Sequence, residues 1–261
     1  MHVELIHPHS QKEVLEILYT AYRVCYSAKP ISEIRTDIES GEISEQQIKS
    51  FIKRMLKTGH TSPLRQIHFV FVIEGVSRVL TAQFNRHTIG VDRCEMSQRY
   101  IKIDGKNKPC IIPESISKCK IDNNYPDDNA LEIFKENIEC CYDDYDSLIG
   151  FYEIPQEDAR YGLPMGTESR EQVSFSFEAL QNYLDVRMCS KTQLEHRKLA
   201  WAIYKLMRKR FPLLSSSLGI KCWENRKGYC DEIKKCEKWG CKRPSKQELM
   251  KMWRKRDVEL V

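Results

Sequence analysis

The 261-residue chain has no apolar run long enough to cross a bilayer. Its start, MHVELIHPHS, lacks the basic-then-apolar pattern of a signal peptide. A soluble cytoplasmic protein is therefore expected. The chain also lacks a strong charge of one sign: 42 Lys and Arg stand against 37 Asp and Glu, leaving +5. That mild excess suits anionic small ligands without demanding nucleic acid. There is no internal repeat and no low-complexity segment. The 11 cysteines are scattered through a chain of ordinary domain length with no export signal, so reduced thiols are expected rather than a disulfide framework. With 41% hydrophobic residues there is enough apolar mass for one compact core. The expectation is a single domain over 1–261, with a Cys- and Lys/Arg-rich extension from about 219.

Hydrophobic periodicity places the elements. Glu13 to Tyr26 carries Val14, Ile17, Leu18, Ala21 and Val24 at helical spacing, closed by Lys29 and Pro30. Ser44 stands three before Gln47 as a capping box for a second helix, which ends at Gly59. His68 to Val76 is β-branched and aromatic and reads as a buried strand ending near Gly75. From Ser77 to His87 the spacing is helical again, so Gln83, Arg86 and His87 are expected on one face. Asp104 to Asp128 reads as a long loop with a short strand at Cys110 to Ile112. Leu131, Phe134, Ile138, Cys141, Tyr142, Tyr145, Leu148 and Ile149 form a helical stripe. A short helix after Pro155 carries Arg160, and Phe177 to Arg210 is expected as one long or one broken helix. Ser245 and Glu248 form another capping box before a basic terminal helix.

The chemistry concentrates in Arg86 to Tyr100, RHTIGVDRCEMSQRY. Guanidinium forks and a hydroxyl are the donors a phosphate needs, and a neighbouring imidazole with Glu95 can hold a larger cofactor. Taken alone, the same stretch also fits a solvated helix end and loop. Ser97 has no identifiable histidine base beside it, so it reads as a ligand rather than a nucleophile.

RHTIGVDRCEMSQRY resembles the signature of flavin-dependent thymidylate synthases, Arg-His-Arg followed after a short spacer by Ser, any residue, Arg and Tyr. The resemblance extends to AYRVCYS, GHTSPLRQIHFVF, ARYGLP and LDVRMCSKTQLEHR, in the family's order along most of the chain. It implies an α+β fold, with mixed helices packed on an antiparallel sheet. It implies reductive methylation of dUMP to dTMP, with FAD as cofactor and NADPH and methylenetetrahydrofolate as co-substrates. It also implies a homotetramer whose sites are shared between subunits. By the same resemblance Gln83, Arg86, Glu95, Ser97, Gln98, Arg99, Arg160 and Arg187 bind the nucleotide, and His60, Ser62, Arg86, His87, Glu95 and Asn182 contact the flavin. Arg187 carries the catalytic role: a cation at the uracil edge favours the N3-deprotonated ring and makes C5 nucleophilic. No metal is expected, because the cofactors carry the hard chemistry.

Some positions depart from the family pattern. Thr88 stands where the signature has its second arginine, Ser176 and Glu178 where an asparagine and an arginine usually hold the flavin, and Lys191 where a histidine is common. These changes remove positive charge from the flavin side. Two other readings come from the residues themselves. C5 methylation of UMP or another pyrimidine nucleotide needs only a changed contact at the 2′ position. The stretch Lys234 to Arg256, with Trp239 and Trp253 interleaved, has the composition of a nucleic-acid-binding tail. Cys222, Cys230, Cys236 and Cys241 are numerous enough for a zinc site but lack the CxxC spacing, so free thiols are expected there.

Overall fold

The computed structural model describes residues 1–6, 9–103, 106–119, 129–232, 236 and 243–259, with 253–259 described by backbone alone. Among these residues, helices pack on a four-stranded antiparallel sheet of order β1-β2-β4-β3. The strands are β1 (His2–Leu5), β2 (His68–Ser77), β3 (Val91–Glu95) and β4 (Glu168–Ser176). The helices are α1 (Gln11–Tyr26), α2 (Ile31–Ser40), α3 (Glu45–Met55), α4 (Arg78–Phe84), α5 (Glu114–Ser117), α6 (Ala130–Gly150), α7 (Gln156–Ala159), α8 (Phe177–Arg187), α9 (Leu194–Arg210), α10 (Pro212–Ser215) and α11 (Lys246–Glu259). The α+β class is the one expected.

The chain divides into two compact units, each made of discontinuous segments. The first comprises 1–2, 72–88 and 93–173. Its core forms where α6 turns Ile138, Tyr142 and Tyr145 onto Ile103 and Ala159, with Phe134, Leu148 and Ile149 at the margin. This is the stripe read from the sequence. Asn129 caps the helix by accepting from the Leu131 N–H at 2.9 Å. The loop before it holds one bridge, Cys110 to Thr167, instead of a strand. The expected end of β2 at Gly75 is corrected: the strand runs to Ser77, with Gly75 left-handed at φ +68 inside it. A side chain there would meet the Met1 nitrogen at 2.9 Å, so glycine is used for close approach rather than for stopping the strand. Ser77 caps α4 by accepting from the Leu80 N–H. The helix ends at Phe84, so Arg86 and His87 stand just past it.

The second unit comprises 3–71, 89–92 and 174–261. The two expected capping boxes are formed, Ser44 with Gln47 on α3 and Ser245 with Glu248 before α11, and Ser10 with Glu13 makes a further one on α1. The buried face of α1 differs from the expected stripe. Val14, Leu15, Leu18, Tyr19 and Tyr22 are buried, whereas Ile17 and Val24 are 40% and 60% exposed. Tyr19 and Tyr22 pack edge-on against Phe51 of α3 at 5.0 and 6.1 Å, and these aromatic contacts set the rotation of the helix. The core continues through Phe69, Phe71, Phe175, Phe177 and Phe211. The stretch from Phe177 to Arg210 is broken: Thr192 donates its hydroxyl to the Val186 carbonyl at 3.0 Å and its N–H to Cys189, stopping α8 before α9 begins.

Candidate active site

In the first unit, Ser97, Gln98 and Arg99 lie beside the turn that carries Arg160. Ser97 and Ile101 close a tight turn, Ile101 donating its N–H to the Ser97 carbonyl at 3.0 Å. Gln156 donates to the Gln98 carbonyl at 3.3 Å. Glu157 then organises both arginines: its carboxylate pairs with Arg99 at 2.5 Å, and its backbone carbonyl accepts from Arg160 Nε at 2.9 Å. Arg99 also lies over the Tyr100 ring at 5.4 Å and remains largely exposed. The Gln98 side chain is 8% exposed, and its Nε2 is buried with no partner among the described residues. Two guanidiniums held by one residue, Arg99 by its carboxylate and Arg160 by its backbone carbonyl, beside an unsatisfied amide donor suit a phosphorylated, hydrogen-bonding ligand.

A second cluster lies at the root of the same segment. Glu95, at the end of β3, pairs with Arg78 and with Arg93, the latter at 3.4 Å, and accepts from the Ser169 hydroxyl at 3.3 Å. Arg93 bonds the Asn85 amide, meets Glu171 at 2.9 Å and covers Phe84 at 5.2 Å. Glu171 is buried, and its Oε1 has no partner among the described residues. Burial pushes its carboxyl up to about 7, against the pull of Arg93. Glu95 is thus a pinned carboxylate, anchored by two arginines. Gln83 closes α4 and accepts at its carbonyl from the Arg86 N–H at 3.4 Å. Arg86 is exposed with no ion pair among the described residues, and His87 sits edge-on to Phe84 at 6.0 Å.

In the second unit, His60 is held on three sides. Its Nδ1 lies 2.7 Å from the Tyr26 hydroxyl, its Nε2 2.8 Å from the Ser62 hydroxyl, and the Tyr22 ring meets it edge-on at 5.7 Å. Tyr22 also donates its hydroxyl to the His60 carbonyl at 3.1 Å. AYRVCYS and GHTSP are therefore two halves of one cluster. Arg65, three residues beyond Ser62, pairs with Glu178, whose carboxyl is held below its ordinary range chiefly by that guanidinium. Asn182 is one turn beyond Glu178 on α8 and exposed. Ser176 caps α8 by accepting from the Ala179 N–H. Gly90, left-handed at φ +68, packs so closely that a Cβ there would meet Ser176 Oγ at 2.6 Å. Thr88 is exposed. Arg187 is the last residue of α8.

The structure thus joins Ser97, Gln98, Arg99 and Arg160, and separately His60 and Ser62. Gln83, Arg86 and His87 stand at and just past the end of α4, and Arg187 at the end of α8. Sequence reading missed Glu157, Arg65, Arg78, Arg93 and Glu171. The alternation of β3 and β4 carried a signal for Arg93 and Glu171, whereas the partners of Glu157 and Arg65 are distant in sequence.

Cys189, Cys222, Cys230 and Cys236 line one small cavity of about 30 Å³. Among the described residues no three His, Cys, Asp or Glu side chains are arranged to hold a metal. Cys241 and most of the stretch Lys234 to Arg256 lie outside the described side chains. No described helix is long and apolar enough to cross a membrane.

Arginine forks fixed by carboxylates, with amides and hydroxyls beside them, make a polar site suited to an anionic ligand. The family described as thymidylate synthase complementing protein matches residues 6–213. A flavin-dependent thymidylate synthase of Nitratidesulfovibrio vulgaris is 34% identical over 242 residues, covering 91% of this chain and 94% of that one. One from Pyrococcus abyssi is 31% identical over 223 residues, covering 82% and 85%. The crystal structure of the flavin-dependent thymidylate synthase ThyX from Helicobacter pylori, complexed with FAD and dUMP, superposes with a TM-score of 0.58 at 20% identity, covering 84% of this chain and all of that one. The chain belongs to the flavin-dependent thymidylate synthase family.

Proposed function

We propose that this chain converts dUMP to dTMP by reductive methylation, with FAD as its cofactor and NADPH and methylenetetrahydrofolate as co-substrates. The observation that carries the nucleotide half is the convergence of Arg99 and Arg160 on Glu157 beside the unpartnered Gln98 amide. Arg99 and the Ser97 hydroxyl bind the 5′-phosphate, with Arg160 as a further cation. Gln83 and Gln98 read the pyrimidine through their amides, and Arg86 adds charge. Glu95 contributes by position, since its carboxylate is anchored by Arg78 and Arg93.

The residues present fit a flavin. His60 and Ser62 give a polar pair with an aromatic ring beside it, and by the resemblance Asn182, Arg86, His87 and Glu95 are the other flavin contacts. The positive charge lacking at Glu178 is supplied beside it by Arg65. Bound FAD, once reduced by NADPH, supplies reducing equivalents, and methylenetetrahydrofolate supplies the carbon. The chain's own work is to orient and polarise. Arg187 at the uracil edge stabilises charge developing on the ring, which makes C5 nucleophilic without a covalent protein nucleophile.

Residues 1–261 act as one catalytic domain with an extension from about 219, in a cytoplasmic homotetramer whose sites are shared between subunits. Exposed Tyr100, Phe151, Tyr152 and Tyr161, at 77%, 79%, 63% and 86% exposure, support burial against other copies. The test is dUMP binding by calorimetry to wild type and to Glu157→Gln. Release of Arg99 should weaken binding several-fold, and unchanged affinity would remove this cluster from the phosphate site.

A further inference from the structure

Beyond residue 213, where the family match ends, the chain returns to α8 and holds it. Asp185, 3% exposed, receives a two-point ion pair from Arg226: Nε to Oδ1 at 2.6 Å and Nη2 to Oδ2 at 2.9 Å. Arg226 also donates from Nη1 to the Ser217 carbonyl at 2.9 Å. Gln181, one turn before Asp185 on the same face, donates to that carbonyl and to the Ser217 hydroxyl at 3.4 and 3.0 Å. The Lys221 N–H donates to the Asp185 carbonyl at 3.1 Å. That carbonyl is one of the four a helix end leaves without an intrahelical partner. The last turn of α8 is therefore held by side chain and backbone together, and Arg187 is on that turn.

The holding segment is itself fixed. Gly219 is at φ +154 with the Trp223 ring so close that a Cβ would meet Cε3 at 2.3 Å. Trp223 packs edge-on to Trp201 and Tyr204 of α9 at 6.1 and 6.0 Å. Trp201 donates to the Met188 carbonyl at 3.3 Å, one residue past Arg187.

We propose that residues 216–226 are a clamp for the end of α8, with Arg226 the positioning residue that aims Arg187 at the nucleotide ring. The proposal rests on the reading of Arg187 given above. A guanidinium fork fixes a carboxylate in direction as well as distance, which an ammonium does not. Clamping Gln181 and Asp185 fixes the rotation of α8, and residues two positions on turn with it. Arg187 acts as charge builds on the ring, so its misplacement should appear in kcat and leave KM for dUMP nearly unmoved.

The experiment compares wild type with Arg226→Lys, with the apolar pair Asp185→Leu/Arg226→Met, and with Arg187→Ala. For each, kcat and KM for dUMP are measured, together with Tm and the ultraviolet pH titration of bound dUMP. The apolar pair guards against misfolding, because replacing both members of a buried ion pair commonly keeps stability. Both clamp variants should lose about tenfold to a hundredfold in kcat, the scale of a small misplacement. KM should stay within about twofold, and the bound uracil should deprotonate at higher pH, as in Arg187→Ala. If the clamp variants fold and keep wild-type kcat while Arg187→Ala is inactive, the clamp does not aim Arg187. If Arg187→Ala itself turns over normally, the reading of Arg187 fails and the clamp's catalytic role falls with it.

Discussion

Arg187 and Arg99 are both arginines of the expected nucleotide site, but their variants should fail in different ways. In the proposed mechanism Arg187 matters most as the ring becomes anionic, so Arg187→Ala should bind flavin and dUMP almost normally and lose turnover by orders of magnitude. In the same proposal Arg99 holds a phosphate in ground and transition states alike, so Arg99→Ala should weaken dUMP binding by about 1.5–3 kcal/mol, measured by calorimetry. Wild-type turnover in the first, or wild-type affinity in the second, contradicts the assigned role. Glu178 shows what a single residue hides in a sequence. Its carboxylate reads as repulsion toward a flavin phosphate, yet Arg65 pairs with it from 113 positions away. The local charge is therefore closer to balanced than the departure from the family pattern implies. No spacing rule links two positions so far apart.

The network under β3 and β4 has its own pH signature. The Glu171 carboxyl is raised to about 7 by burial, from the ordinary value near 4.5 that it regains on unfolding. Between those values the folded state holds a proton that the unfolded chain has lost. Its contribution to stability is full below about 4.5 and disappears as pH rises through about 7. Glu171→Gln should therefore flatten the fall in Tm between pH 5 and 7.5. A parallel slope in both proteins would mean that Glu171 is charged throughout. Elements whose signal is local were legible: the capping box at Ser44, the stripe on α6, the strand at His68 and the short helix after Pro155, although that helix ends at Ala159, one residue before Arg160. The helix α2 was not read, having only Ile34 buried to mark its inner face, and the edge strands β1 and β3 were not legible, because each is short and takes its partner from far along the chain. The rotation of α1 was misjudged for the same reason, since Phe51 decides it from another helix.

At the scale of the molecule, the family was legible because five segments in order carry it, whereas the arrangement of the site was not. The sequence placed Arg99 and Arg160 together only by resemblance; the residue that joins them through its carboxylate and its backbone carbonyl, Glu157, had no motif. The proposed homotetramer also gives a prediction. Tyr100, Phe151, Tyr152 and Tyr161 are the exposed rings assigned to the proposed interface, and Phe151→Glu with Tyr161→Glu should shift sedimentation toward smaller species and lower activity with it. A wild-type sedimentation profile in that variant would leave these rings out of the interface.

The central claim is tested most directly by anaerobic turnover of the purified protein with FAD, NADPH and methylenetetrahydrofolate, offered dUMP and UMP in parallel, with products identified by mass. The account predicts dTMP from dUMP, dependent on all three additions, and little or no product from UMP. Methylated product from UMP alone, or no methylation of either nucleotide, would contradict it.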